Sequence, residues 1–142
     1  MRVHLDFETR CDLDLKKVGL RRYLAHKSFR VLLTALAFGD GPVLQWEGLP
    51  PLVRRWPVPG LKVHAFNASF ERGVLERCGV RVPPHLWRDT MAHAYARGFA
   101  GTLAQVGEQV GIEQHKAKLA SGTRLITKFC CPRRPSKSNP EK

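Results

Sequence analysis

The tightest constraint on this chain is the alternation at its start, Arg2-Val3-His4-Leu5-Asp6-Phe7-Glu8. Strand side chains point to opposite sides with period two. Val3, Leu5 and Phe7 therefore share one face, and His4, Asp6 and Glu8 share the other. The segment reads as a strand with one face in a core and two acids at its far end.

The following segments suit an α/β domain. Residues 12–19 read as a polar connection and residues 20–26 as a short helix. Residues 29–38 form a near-continuous apolar run, which suits a buried strand. Gly39-Asp40-Gly41-Pro42 is a turn signal, and residues 43–46 then make a hairpin partner. Residues 49–60 hold four prolines and read as irregular chain with a single helical turn. Residues 61–66 are another strand, ending at Asn67.

Asn67 or Ser69 can cap a helix over residues 70–78, whose apolar stripe is Phe70, Val74, Leu75 and Cys78. Gly79 stops it. Asp89 can cap a helix over residues 90–97. Thr102 and Gln105 form a capping box for a helix ending near Gly111. The order of elements implies a mixed sheet with helices. From Cys130 onward, prolines and charges replace any periodicity. Residues 130–142 are thus expected to be a disordered basic tail, and residues 1–129 the folded part.

A length of 142 residues suits one domain with one core. Lys and Arg number 24 against 12 for Asp and Glu, a net charge of +12, which points to a polyanionic partner, nucleic acid first. The plain alternative is a basic surface that only aids solubility, and the tail inflates the total. Cys11, Cys78, Cys130 and Cys131 contain no Cys-x-x-Cys pair, so free thiols are expected rather than zinc. No apolar run approaches a membrane span, and acids interrupt the first apolar run too early for a signal peptide. A cytoplasmic protein is expected.

The acids carry the chemistry. Asp6 and Glu8, two apart on a strand, point the same way and can share a hard divalent cation through oxygen. Alone this is weak, since two solvated acids at a strand end are common. Glu71 strengthens it, because it falls in the first turn of a helix directly after a strand. If the two strands are neighbours, Glu71 faces the Asp6–Glu8 pair. Three gathered carboxylates repel one another unless cations sit among them, and two metals would make them a clamp for phosphoryl chemistry. The simpler reading of Glu71 is a favourable charge at a helix N-terminus, which is compatible with catalysis.

Asp6-x-Glu8 on the first strand followed by Asn67-x-x-Phe70-Glu71 resembles the first two motifs of the DEDD 3′–5′ exonuclease superfamily. More narrowly, Leu5-Asp6-Phe7-Glu8-Thr9, then Asp14-Leu15-Lys16-Lys17-Val18-Gly19, then Asn67-Ala68-Ser69-Phe70-Glu71-Arg72 are similar to the exonuclease domain of phage-type family A DNA polymerases. Asp89-Thr90-Met91, Gly101-Thr102-Leu103, the run from Lys118 to Ile126 and Pro132-Arg133-Arg134-Pro135 extend the likeness over nearly the whole chain.

The resemblance implies a ribonuclease-H-like mixed sheet flanked by helices and two metal ions, Mg²⁺ or Mn²⁺. Asp6 would bridge both metals, Glu8 would hold the first, and Glu71 would serve the second. Thr9, Asn67 and Phe70 would place the terminal nucleotides, although Phe70 also belongs to the apolar stripe. The implied substrate is a single-stranded 3′ end of DNA, the implied reaction release of nucleoside monophosphates, and the implied partner a polymerase domain in a longer or neighbouring chain.

That family also has a third motif, with another aspartate four residues after a tyrosine or five after a histidine. No aspartate follows Asp89, and neither Tyr23 nor Tyr95 has one four residues on. His85-x-x-x-Asp89 has one residue too few. The chain is therefore expected to be the front part of such a domain, with its sheet incomplete on the C-terminal side. Without the missing acid it would be either an enzyme completed from elsewhere or a non-catalytic nucleic-acid-binding remnant. A different nuclease of the ribonuclease-H-like fold is a third reading, disfavoured by the Asn67-to-Glu71 motif.

Overall fold

A computed structural model describes residues 1–99, 101–112 and 130. β1 (Arg2–Arg10) buries Val3, Leu5, Phe7 and Thr9 and leaves the alternate residues outward, as the period of two requires. β2 (Arg30–Phe38) and β3 (Leu44–Glu47) form the predicted hairpin. β4 (Lys62–Ala65) leads into α2 (Ala68–Arg77). Then come β5 (Trp87–Asp89), α3 (Thr90–Tyr95) and α4 (Leu103–Gln109).

The five strands form one sheet in the order β3-β2-β1-β4-β5. β1 runs antiparallel to β2 and parallel to β4, and β4 runs parallel to β5. The acid-bearing strand is thus central, with its C-terminal end beside the point where β4 gives way to α2. The core joins Val3, Leu5 and Phe7 to Leu36, Val63 and Ala65 of the sheet and to Val74 and Leu75 of α2. Full burial of each such aliphatic side chain contributes about 2 kcal/mol. Among the described residues no helix is long and apolar enough to cross a membrane.

Two elements depart from the sequence reading. Residues 12–19 are not a plain connection, because α1 (Leu15–Ala25) begins there. Asp14 caps it by accepting the Lys16 amide at 2.9 Å, and the helix is interrupted at Gly19, whose φ of 75° only glycine adopts readily. A helix therefore lies between β1 and the hairpin, where the sequence order suggested none before residue 20. β5 was not anticipated. Three residues are too short for a periodic signal, and the strand exists because Val63, His64 and Ala65 pair with Trp87, Arg88 and Asp89.

α1 is held against α2 at close range. Arg77 Nε donates to the Leu24 carbonyl at 2.8 Å. A Cβ at Gly73 would lie 2.5 Å from Leu24 Cδ1, so a side chain there would force the Leu24 side chain to move. The capping box of α4 is present, with the Gln105 amide donating to Thr102 Oγ1 and the Thr102 amide donating to Gln105 Oε1. The sequence segments from Lys118 to Ile126 and Pro132 to Pro135 lie outside the described residues, as do residues 131–142 of the expected tail.

Candidate functional site

β1 carries three of the expected site residues along its middle and C-terminal half. Asp6 is exposed, Glu8 half-buried and Thr9 buried. The β1–β2 register slips between Glu8, opposite Leu33, and Thr9, opposite Val31. Such a bulge bends the strand and re-aims the side chains beside it. Thr9 Oγ1 lies 2.9 Å from the Tyr23 hydroxyl of α1, which ties the end of β1 to that helix. Cys130, the first residue of the expected tail, sits here too. Its carbonyl accepts the Cys11 amide at 3.4 Å, and its thiol faces Glu8 Oε2 at 4.0 Å.

The second cluster is built by the turn from β4 into α2. Asn67 occupies the N-cap position but does not cap with its side chain. It is left-handed, with φ of 63°, a conformation that asparagine tolerates better than most residues. Ser69 Oγ donates instead to Asn67 Oδ1 at 2.8 Å. The free amides of this helix end are taken by a distant residue. Asp89 accepts the Ala68 amide at 3.0 Å and the Asn67 amide at 3.3 Å, and it also caps α3 through the Met91 and Ala92 amides at 2.9 and 3.2 Å. Phe70 is half-buried and packs against the core cluster.

Glu71 is the anomaly of the site. It is 3% exposed, and its Oε2 has no hydrogen-bond partner. Burial pushes its carboxyl up to about 8, and the nearby charges of Asp6 and Asp89 push the same way. A hydrogen bond to the backbone at Glu71 itself opposes the rise. An unpartnered buried carboxylate oxygen costs on the order of 1–3 kcal/mol. Two things relieve it, a proton or a cation. Asp6 and Glu71 offer oxygen donors only, the donor type that hard divalent cations take, so this pair fits such an ion.

Asp6 and Glu71, from β1 and α2, are therefore within electrostatic reach of one another, as the sequence reading required of neighbouring strands. Among the described residues, however, no group of three or more His, Cys, Asp or Glu side chains converges closely enough to hold a metal ion. Glu8 Oε2 lies 4.0 Å from the Cys130 thiol, and among the described residues Glu8 does not complete a three-ligand group. Sequence reasoning missed Tyr23 as the partner of Thr9 and treated Asp89 only as the cap of α3. No local signal marks either pairing, since both join residues far apart in the chain.

The face beside the acids is basic. Arg2 pairs in register with Lys62, and His4 with His64, which in turn pairs with Arg88. The His4 and His64 rings stand 5.2 Å apart. Burial, then the charges of His4, Arg2, Arg88 and His93, lower the His64 pKa. Arg2 is ion-paired with Asp40, and Lys62 and Arg88 add positive charge to this face.

The five-stranded mixed sheet with its flanking helices is a ribonuclease-H-like α/β domain, and a solved nuclease in its apo form shares the fold. The TM-score is 0.61 at 17% identity, and the match covers 99% of this chain and 63% of that one. In sequence, the chain is 34% identical over 143 aligned positions to the DNA polymerase of Bacillus phage SP02. That match takes in 95% of this chain but only 22% of the polymerase, so the chain spans about a fifth of its relative's length. No family model matches the chain.

Proposed function

We propose that this chain is a 3′–5′ DNA exonuclease domain of the proofreading type, related to a segment of a phage DNA polymerase and hydrolysing the 3′-terminal phosphodiester of a single-stranded end. The observation that carries this reading is Glu71, a buried carboxylate with an unpartnered oxygen, within electrostatic reach of Asp6 on the central strand of a ribonuclease-H-like sheet. A structural acid would gain by being exposed or paired. One kept buried beside another acid suits a site that holds a cation.

Asp6 and Glu71 would hold the divalent ions, Mg²⁺ or Mn²⁺, with Glu8 joining them once its side chain turns from Cys130. Bound there, the metals would lower the pKa of water and stabilise the leaving oxygen. The remaining work falls to the chain. Thr9, fixed by Tyr23, borders the site for the terminal sugar. Asn67, held in its left-handed turn by the amide it donates to Asp89, and Phe70 shape the opposite side. The basic residues on β1, β4 and β5 attract the polyanion.

A second reading is a non-catalytic domain that binds nucleic acid with the same surface. It is favoured by the lack of a three-ligand group among the described residues. Digestion of a 5′-labelled single strand with Mg²⁺ or Mn²⁺, wild type beside Asp6→Ala, separates the two. Stepwise 3′ shortening that vanishes in the variant supports the exonuclease. Binding without shortening supports the second reading.

A further inference from the structure

A groove of about 620 Å³ runs between α2 and the second half of α1. Leu20 and Leu24 give it an apolar floor, Arg21, Arg72 and Arg77 give it positive walls, and Glu76 is the one acid among the residues lining it. Ser69 lines its near end, and Ser69 is hydrogen-bonded to Asn67 at the proposed site. Ser69, Arg72, Gly73 and Glu76 recur at i, i+3, i+4 and i+7, so one face of α2 forms the groove wall. Glu71 belongs to the opposite, sheet-facing side of α2 with Ala68, Val74 and Leu75. The groove thus starts beside Asn67, proposed above to place the terminal nucleotide, and leads away along α2.

The three arginines differ in what they are free to do. Arg77 is committed to the Leu24 carbonyl. Arg21 is exposed, and Arg72 keeps a buried Nε with no acceptor. The groove wall from Ser69 to Arg77 is about 12 Å long at helical rise. Cationic walls over an apolar floor match a single strand, whose phosphates need charge and whose bases need a nonpolar surface.

We infer that this groove receives the polynucleotide backbone on the 5′ side of the terminal nucleotide, with Arg21 and Arg72 as its phosphate-binding groups. This rests on reading the Asp6–Glu71 pair as the hydrolytic centre. The strand leaves that centre along α2. Arg21 and Arg72 set the affinity for long strands and contribute nothing to a substrate too short to reach them.

The test is fluorescence anisotropy with the full chain and labelled oligothymidylates in EDTA, one of roughly 12 nucleotides and the other a dinucleotide, whose single internal phosphate is the scissile one. Arg21→Glu should weaken binding of the longer strand about 5–10-fold and flatten its salt dependence by about 0.7 in log–log slope for each phosphate no longer neutralised. The short strand should bind as before. Arg72→Ala should act the same way, and Arg21→Glu, on an exposed side chain, guards against a folding defect. Unchanged affinity and salt slope in Arg21→Glu would overturn the groove assignment, even if the wild type digests DNA. Weakened binding in Arg21→Glu together with no metal-dependent digestion by the wild type would support the groove as a strand site and overturn the hydrolytic reading.

Discussion

The carboxylate of Asp89 accepts the backbone amide of Ala68 at 3.0 Å, although one residue ends β5 and the other begins α2. The same carboxylate caps α3. One side chain therefore holds two helix N-termini together next to Glu71 and Asn67. Asp89→Ala should cost about 2 kcal/mol, more than an ordinary cap, because it leaves amides of both helices unsatisfied. Asp89→Asn should cost less, since its oxygen still accepts. Urea unfolding of the three proteins checks this, and equal stability of Asp89→Ala and wild type would contradict it.

Glu71 makes stability depend on pH in an unusual direction. Its folded carboxyl lies at about 8, above its unfolded value of 4.5, so the native state binds more protons between those limits. The stabilisation is fully present below the unfolded value and is lost as pH rises through the folded one. Unfolding free energy should therefore fall between pH 5 and 8.5, by on the order of 3 kcal/mol in metal-free buffer. Glu71→Gln should remove most of that slope and be the more stable protein at alkaline pH. Parallel slopes for the two proteins would show that Glu71 is not the group responsible.

A cation should act as the proton does. With Mg²⁺ or Mn²⁺ at about ten times its dissociation constant, the wild type should gain about 1.4 kcal/mol at pH 8. Glu71→Gln and Asp6→Ala should gain little, because each removes one oxygen donor of the pair. Thermal unfolding with and without the metal reads this directly. An equal gain in all three proteins would place the ion elsewhere.

Gly73 tests the packing that shapes the groove. Gly73→Ala should destabilise by about 1 kcal/mol, since Leu24 Cδ1 stands 2.5 Å from where the new methyl would be. Only the end of a flexible side chain must move, which keeps the cost modest. In a Leu24→Ala background the same substitution should cost nothing. A double-mutant cycle in urea gives the coupling, and additivity would rule out the Leu24 clash as the cause.

Much of the fold was legible because some elements declare themselves locally. The alternation of Val3, Leu5 and Phe7 identified β1, the Gly39-Asp40-Gly41 turn separated β2 from β3, and Thr102 with Gln105 marked the start of α4. The beginning of α1 was hidden because Gly19 interrupts its pattern, and β5 was hidden because Trp87–Asp89 is a strand only by virtue of pairing with β4. Asn67 was a candidate to cap α2 with its side chain, but the turn from β4 needed its left-handed backbone instead.

The amino-acid sequence by itself determined which residue types could do chemistry and where they fall along the chain. Asp6 and Glu8 share a strand face, and Glu71 follows a strand in the first turn of a helix, because side-chain direction along a strand or helix is a local property. Only the tertiary structure decided how these groups meet. It set β1 beside β4, buried Glu71 within electrostatic reach of Asp6, brought Glu8 near Cys130, and gave the amides of α2 to Asp89. Burial and proximity across the sheet depend on pairings between distant segments, and it is those pairings, not any local pattern, that set the charge state of an acid.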